Sequence, residues 1–532
     1  MPRMLLALTG LVLALAASAS AGPVAPAPTK PAAVTATTFL VSGRGWGHGV
    51  GMSQYGALGY ANDGWTYDQI LAHFYTGAEL GPAVVARVRV LVAEARPSIK
   101  VRSASAFRIR DVFGTIYPFA PGELTLGSKL RVVINGTPTE LAGPIVFLPG
   151  TAPLEVDKVG YRGQIEVAVA GQKLNAINVV GLEQYLAGVV AKEMPSAWPD
   201  EALKAQAVAA RSYALSHRLG GKTFDLYADV RSQVYGGIPG ESPRTTAAIE
   251  ATKAEVLLWE GKPIDALFHS TSGGATVDAV EAFGKAVPYL VSVDDPHSAL
   301  SPVHRWGPTP VAETTLRKGL KLRVPVTALK LARAPSGRVA TAEVMTTTGA
   351  TKVTGGTLRS AAGLRSTWIT ALASLSLTRP GGPVVFGKPL ALTGKATNVK
   401  GAVIEQKVAG TWTRVAGPGI APALKLKLRG PATFRISAGK LVGPVLKVPV
   451  APAVTLRTDG AQAVAGAVKP LDPGTTVELQ LDSERGWFTT AKTTTGPDGS
   501  YTLALPEPGR YRARVAPAQG FAEGLSVQID LQ

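Results

Sequence analysis

The chain has 532 residues, enough for roughly two to four domains, with 46% hydrophobic and only 17% charged residues. Its 59 glycines and 40 prolines with 6% aromatics exclude a helical bundle and point to a β-rich, turn-rich α+β chain. Net charge is +18, which attracts polyanions, but no nucleic-acid module or basic-aromatic stripe accompanies it; the lack of cysteine excludes disulfides and thiolate metal sites.

Arg3 precedes an apolar run from Met4 to Ala17, and Ala19, Ser20 and Ala21 put small residues where a signal peptidase reads. Residues 1–21 are therefore expected to be a signal peptide; the competing reading, a membrane anchor, has barely enough length to span. Export predicts a secreted or wall-associated protein that meets the membrane only in transit, with neither nucleic acid nor nucleotide as partner. Residues 22–36 read as a Pro/Ala-rich linker. From about Thr37 to Gly81 an ordered module carries the glycine-rich run from Gly43 to Gly51, and Thr66 with Gln69 forms a capping-box pattern that starts a short helix through Phe74. From Val84 to about Asn178 the text is alternating or β-branched strands separated by turn residues. The period then changes. Leu182, Tyr185, Leu186, Val189 and Val190 recur at helical spacing, and Pro195 stops that helix at Met194. A second helix opens at Pro199, with Asp200 and Glu201 in its first turn, and runs to about His217.

Strands return at Glu255–Glu260 and Ile264–His269, and mixed structure continues to about Leu375. Beyond lies polar β text with a weak repeat: Glu405–Trp412 echoes Leu479–Trp487, and Gly430–Arg435 echoes Pro508–Arg512. It predicts two small all-β sandwich-like modules, 380–450 and 451–532, serving as spacers or wall-binding units.

Glu193 falls in the last turn of the first helix, where the negative end of the macrodipole raises a carboxyl pKa, and Val190, Met194 and Trp198 would desolvate it in the same direction. A glutamate kept partly protonated suits general acid catalysis on a glycosidic bond; a solvated helix-end charge is the plain alternative. Arg211 lies twelve residues beyond Pro199, about 18 Å along a helix. A simple hairpin therefore keeps it from Glu193, and it is assigned to substrate or structural contacts. The glycine-rich run lacks the Lys-Ser/Thr of a phosphate loop. His48 reads as a cleft hydrogen-bonding group or as a structural histidine, and Gln54 and Tyr55 as sugar-binding groups. His269 and Ser270 are strand neighbours and face opposite ways, so they make no dyad. The stretch from His269 to Gly274 is expected to end a strand in a cleft-lining turn offering Ser270, Ser272 and Gly273.

These motifs together resemble the SpoIID/LytB family: LEQYL at 182–186, EMP at 193–195, EALKAQAVAAR at 201–211, HSTSGG at 269–274, Tyr289-Leu290, LRSTW at 364–368 and GWGHGVGMSQYGA at 45–57. The likeness spans about residues 39–372 and implies a SpoIID-like catalytic domain, 37–375, with a central helix-turn-helix. In family members the glutamate of the EMP motif serves lytic transglycosylases acting on peptide-free glycan strands of peptidoglycan, a role that falls here on Glu193. It would protonate the bond between N-acetylmuramic acid and N-acetylglucosamine and then deprotonate the muramyl 6-hydroxyl, with no cofactor. LytB-type relatives are amidase enhancers, so a cell-wall amidase is the alternative partner and a non-catalytic regulator the alternative function. Three features depart from the family. The GWGH motif usually follows the LRST motif but here precedes everything, as in a circular permutation. Some relatives bind zinc beside a Gln-x-Tyr motif, but Asp229–Tyr235 here has neither His nor Cys, so no metal is expected. Some relatives carry a lysine two residues beyond the tyrosine matching Tyr289, a candidate substrate contact; here Val291 stands there.

Overall fold

A computed structural model describes residues 31–531 apart from 86, 220–222, 461–462, 471–472, 505–506 and 519. The expected signal peptide, and residues 22–30 of the expected linker, lie outside the described residues. The remaining end of that linker enters a strand at once, Val34–Arg44.

The fold is α+β and rich in strand, as composition implied. Eight α-helices occur among the described residues: α1 Gln54–Asn62, α2 Tyr67–Phe74, α3 Leu182–Glu193, α4 Asp200–Ser216, α5 Pro243–Ala251, α6 Ala279–Phe283, α7 Glu313–Gly319 and α8 Gly355–Ala362. The capping box before α2 is formed, with Gln69 Oε1 accepting from Thr66 N at 3.1 Å. α3 ends where Pro195 requires: Met194 is extended, since a residue before proline is pushed out of the helical region.

Strand Val34–Arg44 lies between Arg305–Ala312 and Ile369–Arg379 in a five-stranded sheet that continues through Pro389–Thr397 to Ala423–Lys427. A second, seven-stranded sheet has Arg87–Arg96, Lys173–Gly181 and Gln164–Ala170 at its centre. Every apolar position that gave α3 its period is buried against this second sheet: Leu182, Tyr185, Leu186, Val189 and Val190 share one core with Val88, Ile165 and Val180. α4 is the seam of the molecule. Its Ala207, Ala210 and Ala214 join that core, while Ala202, Leu203, Ala205, Val208 and Ala209 join a second core with Val50, Met52, Ile70 and Phe74. Alanine suits both sides, because a helix hemmed in by α1, α2, α3 and α5 has no room for longer side chains at close interaxial distance.

Towards the C-terminus, Leu375, Leu377, Leu390, Phe434 and Ile436 share a core that also takes in Leu40 from the first strand; residues from Val454 to Leu531 form another. The first of these β units is therefore continuous with the sheet before it. The weak repeat has a structural counterpart. Arg435 lies over Trp412 at 4.4 Å and Arg512 over Trp487 at 4.2 Å, each arginine paired across its sheet with Glu405 or Gln480.

Candidate active site

Glu193 is the last residue of α3, so its carboxyl sits at the end carrying the partial negative charge of the helix. Met194 and Tyr185 are buried beside it and Trp198 is half-buried. Burial pushes the Glu193 carboxyl above the ordinary glutamate range; the backbone N–H of Val234 donates to it and opposes the shift. The shift favours the protonated form relative to an ordinary glutamate.

The glycine-rich segment reaches this glutamate from behind. Ser53 caps α1, its hydroxyl accepting from Gly56 N at 3.1 Å, which aims Gln54 inward. Gln54 Nε2 donates to the Glu193 carbonyl at 2.9 Å and to Gln206 Oε1 of α4 at 3.3 Å. One buried amide therefore ties α1, α3 and α4 together at the catalytic candidate. Tyr55 packs edge-on against Trp198, ring centroids 4.9 Å apart, and its N–H donates to Ser270 O at 3.1 Å. Gln54, Tyr55 and Ser270 are brought to Glu193 together.

His48 has both ring nitrogens engaged: Nδ1 accepts from Val50 N and Nε2 bonds Phe268 O, each at 3.1 Å. Burial, with Arg359 and Arg338 adding to it, pulls its pKa down to about 4, so the ring is neutral. His269, 5.5 Å away ring to ring, bonds Val50 O through Nδ1, and burial depresses its pKa further. The two histidines hold the glycine loop against strand Phe268–His269. Glycine is needed at Gly51, φ +70, because a Cβ there would lie 2.0 Å from Leu267 O.

Three candidates belong to the framework. Arg211 is wholly buried. Its Nη2 meets Glu183 Oε2 at 2.6 Å and its Nη1 donates to Glu255 O at 2.9 Å, so the guanidinium is engaged within the fold and the assignment to substrate gives way to the structural one. Hairpin geometry did keep it from Glu193: it pairs with the opposite end of α3. Ser272 is 1% exposed and donates to Asp295 Oδ2 at 2.5 Å. Gly273, φ +89, is packed so tightly that a Cβ would meet Arg44 Cβ at 2.9 Å. The turn lines the core at these two positions, not an open cleft.

The sequence reading missed a cluster beside Glu193. The Tyr213 phenol is pushed up to about 12 by burial, then by the charges of Asp265 and Glu193. Tyr213 stacks on His217 at 3.9 Å; His217 Nδ1 is 3.6 Å from Asp265 Oδ1, which is buried without a hydrogen-bond partner. Burial raises the Asp265 pKa and His217 opposes it. Tyr289 enters through this group, its hydroxyl accepting from Asp265 N at 3.2 Å. A lone acid within the apolar text of Ile264–His269 was the available signal.

Residues 170–259 match the family described as SpoIID, stage II sporulation protein. Stage II sporulation protein D of Bacillus amyloliquefaciens is 33% identical over 221 residues, 38% of this chain and 63% of that protein. An uncharacterized protein of Brachyspira hyodysenteriae is 37% identical over 138 residues, 25% of this chain and 38% of its own. The amidase enhancer of Bacillus subtilis is 42% identical over 111 residues, 21% of this chain and 15% of that protein. The chain thus spans less than two thirds of the length of each of these relatives.

Proposed function

The chain belongs to the SpoIID/LytB family through its central region, and from that premise we propose that it is an exported lytic transglycosylase of peptidoglycan with Glu193 as sole acid and base. A cell-wall role follows from the family. The transglycosylase chemistry is carried by one observation: Glu193 is half-buried at a helix C-terminus, its pKa raised by burial, and its backbone is pinned by Gln54. In the first half-reaction the protonated Glu193 gives its proton to the oxygen leaving with N-acetylglucosamine. In the second, the carboxylate takes the proton of the muramyl 6-hydroxyl as that oxygen closes on the anomeric carbon. The proton count balances and no water enters, so one carboxyl group suffices. Tyr55 and Trp198 supply an aromatic wall suited to a sugar face.

The test is to incubate the purified protein and its Glu193→Gln variant with peptide-free glycan strands and look for anhydro-muramyl products by mass spectrometry. The wild type should release them and the variant should not. Release by neither refutes the proposal, and products with a reducing end would mean hydrolysis. A second reading is favoured by the likeness to the amidase enhancer: a non-catalytic glycan binder that stimulates a cell-wall amidase. It predicts no release by either protein and faster amidase turnover on whole wall in the presence of both.

A further inference from the structure

The other end of the glycine-rich segment opens onto a different place. His48 lines a cavity of about 450 Å³ whose wall is completed by Glu281, Phe283, Arg338, Gly355 and Arg359. Arg338 is 4% exposed, and its Nε has no hydrogen-bond partner. Its Nη2 donates only to the carbonyls of Ser272, at 3.1 Å, and Ala275, at 2.9 Å, with the guanidinium lying 4.5 Å over Trp368. Arg359 is half-buried and bonds Leu364 O through Nε at 3.4 Å. No carboxylate among the described residues lies within ion-pair distance of either. Glu281 is the one acid on the wall, and it accepts from the backbone and hydroxyl of Ser336. A buried cation with no anion at ion-pair distance is costly, and here two guanidinium groups face one cavity whose one acid, Glu281, supports Arg338 only from farther off. The start of α8 faces it too. Thr354 Oγ1 accepts from Thr357 N at 3.1 Å, leaving the first amides of the helix, Gly355 and Gly356, as orphan donors at its positive end.

We propose that this cavity binds a small anion, a carboxylate or a phosphate, between Arg338, Arg359 and the amino end of α8. In a cell wall that chemistry has two sources, the lactyl carboxylate of a muramyl sugar and the phosphate of a wall polymer. Phe283, 55% exposed at the rim, offers an apolar surface for whatever carries the anion. Gly355 is required by the architecture, since a Cβ there would lie 1.8 Å from Val339 O. Bound anion would screen the two guanidinium groups that disfavour a charged His48, so the imidazole reports occupancy. The site takes from the preceding section only the choice of a muramyl sugar as probe; Glu193 has no part in it.

The experiment titrates the full chain with N-acetylmuramic acid, N-acetylglucosamine and inorganic phosphate by calorimetry, and repeats each titration on Arg359→Gln, Glu281→Gln and Glu193→Gln. Arg338, buried in the fold, is left in place. N-acetylmuramic acid or phosphate should bind at least about tenfold more tightly than the uncharged sugar, and Arg359→Gln should remove about tenfold, as expected for a hydrogen bond to a charged group. Glu281→Gln removes the competing charge and should tighten binding several-fold, which tests the site even if the arginine variant folds poorly. Glu193→Gln should bind the anion as the wild type does, so loss of glycan cleavage and loss of this site are separately visible. Displacement of N-acetylmuramic acid by phosphate shows that both occupy one site; tighter binding of N-acetylmuramic acid then identifies the carboxylate source, and binding of phosphate alone the polymer. Equal binding of the two sugars with none of phosphate, or anion binding indifferent to both Arg359→Gln and Glu281→Gln, overturns the proposal.

Discussion

Replacing Arg211 by methionine keeps the volume of its stem and removes the guanidinium. In the fold that group is 0% exposed and meets Glu183 at 2.6 Å, Glu255 O at 2.9 Å and Ile249 O at 3.2 Å. Removing one partner of a buried ion pair costs about 3–5 kcal/mol, because the remaining charge stays in a low-dielectric site unpaired. The Glu183 side chain is 19% exposed and also accepts from Ala254 N, which puts the loss near about 3 kcal/mol, the low end of that range. Adding Glu183→Leu should recover part of it, with an interaction energy of up to about 3 kcal/mol in the double-mutant cycle. Urea unfolding followed by tryptophan fluorescence gives the totals, and peptide-level hydrogen exchange over α3 and α4 assigns the transition to this part of the chain. Because the pair is buried, moderate salt should leave the difference unchanged, unlike a surface pair. A loss under about 1 kcal/mol, well below the range for a broken buried pair, together with weakened glycan binding at full folding, would refute the structural role and restore Arg211 as a substrate contact.

Gln54→Leu deletes the amide that bonds the Glu193 carbonyl and Gln206 and leaves buried acceptors unmet, at a cost of about 1–3 kcal/mol; glycan release should fall further than melting temperature explains. The His48 pKa is 6.5 unfolded and about 4 folded, so its stability contribution is complete above pH 6.5 and is lost as pH falls towards 4, about 3 kcal/mol in total. Burial lowers His269 too and adds in the same direction; urea midpoints that stay flat between pH 7 and 4.5 would refute the buried neutral pair. Glu193 has the opposite sign: its folded pKa is raised, so stability is fullest below the ordinary glutamate pKa and is lost as pH rises through the folded value. Glu193→Gln should therefore unfold at a higher midpoint than wild type at pH 8 while releasing no product, and equal midpoints would argue for a solvated carboxylate.

The helices around Glu193 were legible because their signals are local. Five apolar residues at helical spacing, a stop at Pro195 and an acidic first turn at Asp200 and Glu201 specify α3 and α4 without reference to anything distant. The upward direction of the Glu193 shift agrees with its place at the end of α3, but burial among residues from other elements is its cause. The fates of Arg211, Ser272 and Gly273 were not legible. Each depends on a partner far along the chain, Glu183, Asp295 and Arg44 respectively, and nothing in a residue's neighbours says that its side chain is already engaged. The group of Tyr213, His217 and Asp265 was invisible likewise: α4 supplies Tyr213, its C-cap is His217, and a loop some fifty residues later, before strand Phe268–His269, supplies Asp265. Residues 380–450 read as a separate module because sequence shows a change of texture, whereas the sheet runs across that change through Ile369–Arg379 and Pro389–Thr397.

The displaced glycine-rich motif follows from the register of one strand pair. Val34 lies opposite Arg379 and Gly43 opposite Ile369, antiparallel throughout. Past the sheet, Arg44 N donates to Trp368 O at 2.9 Å, Gly47 N donates to Arg365 O at 3.0 Å, and Ser366 Oγ bonds Arg44 O. The GWGH and LRST motifs, 45–57 and 364–368, are thus zipped together although they stand at opposite ends of the domain in sequence. A short turn from Arg379 to Val34 would give the order usual in the family and leave every one of these contacts in place, because antiparallel neighbours need only a hairpin between them. What the fold requires is the contact between the two motifs, not their order along the chain. That contact anchors the glycine loop at one end, and Gln54 anchors it on Glu193 at the other. The loop is therefore a strut between the five-stranded sheet and the end of α3, held at both ends by contacts that do not depend on which of the two motifs comes first in the chain.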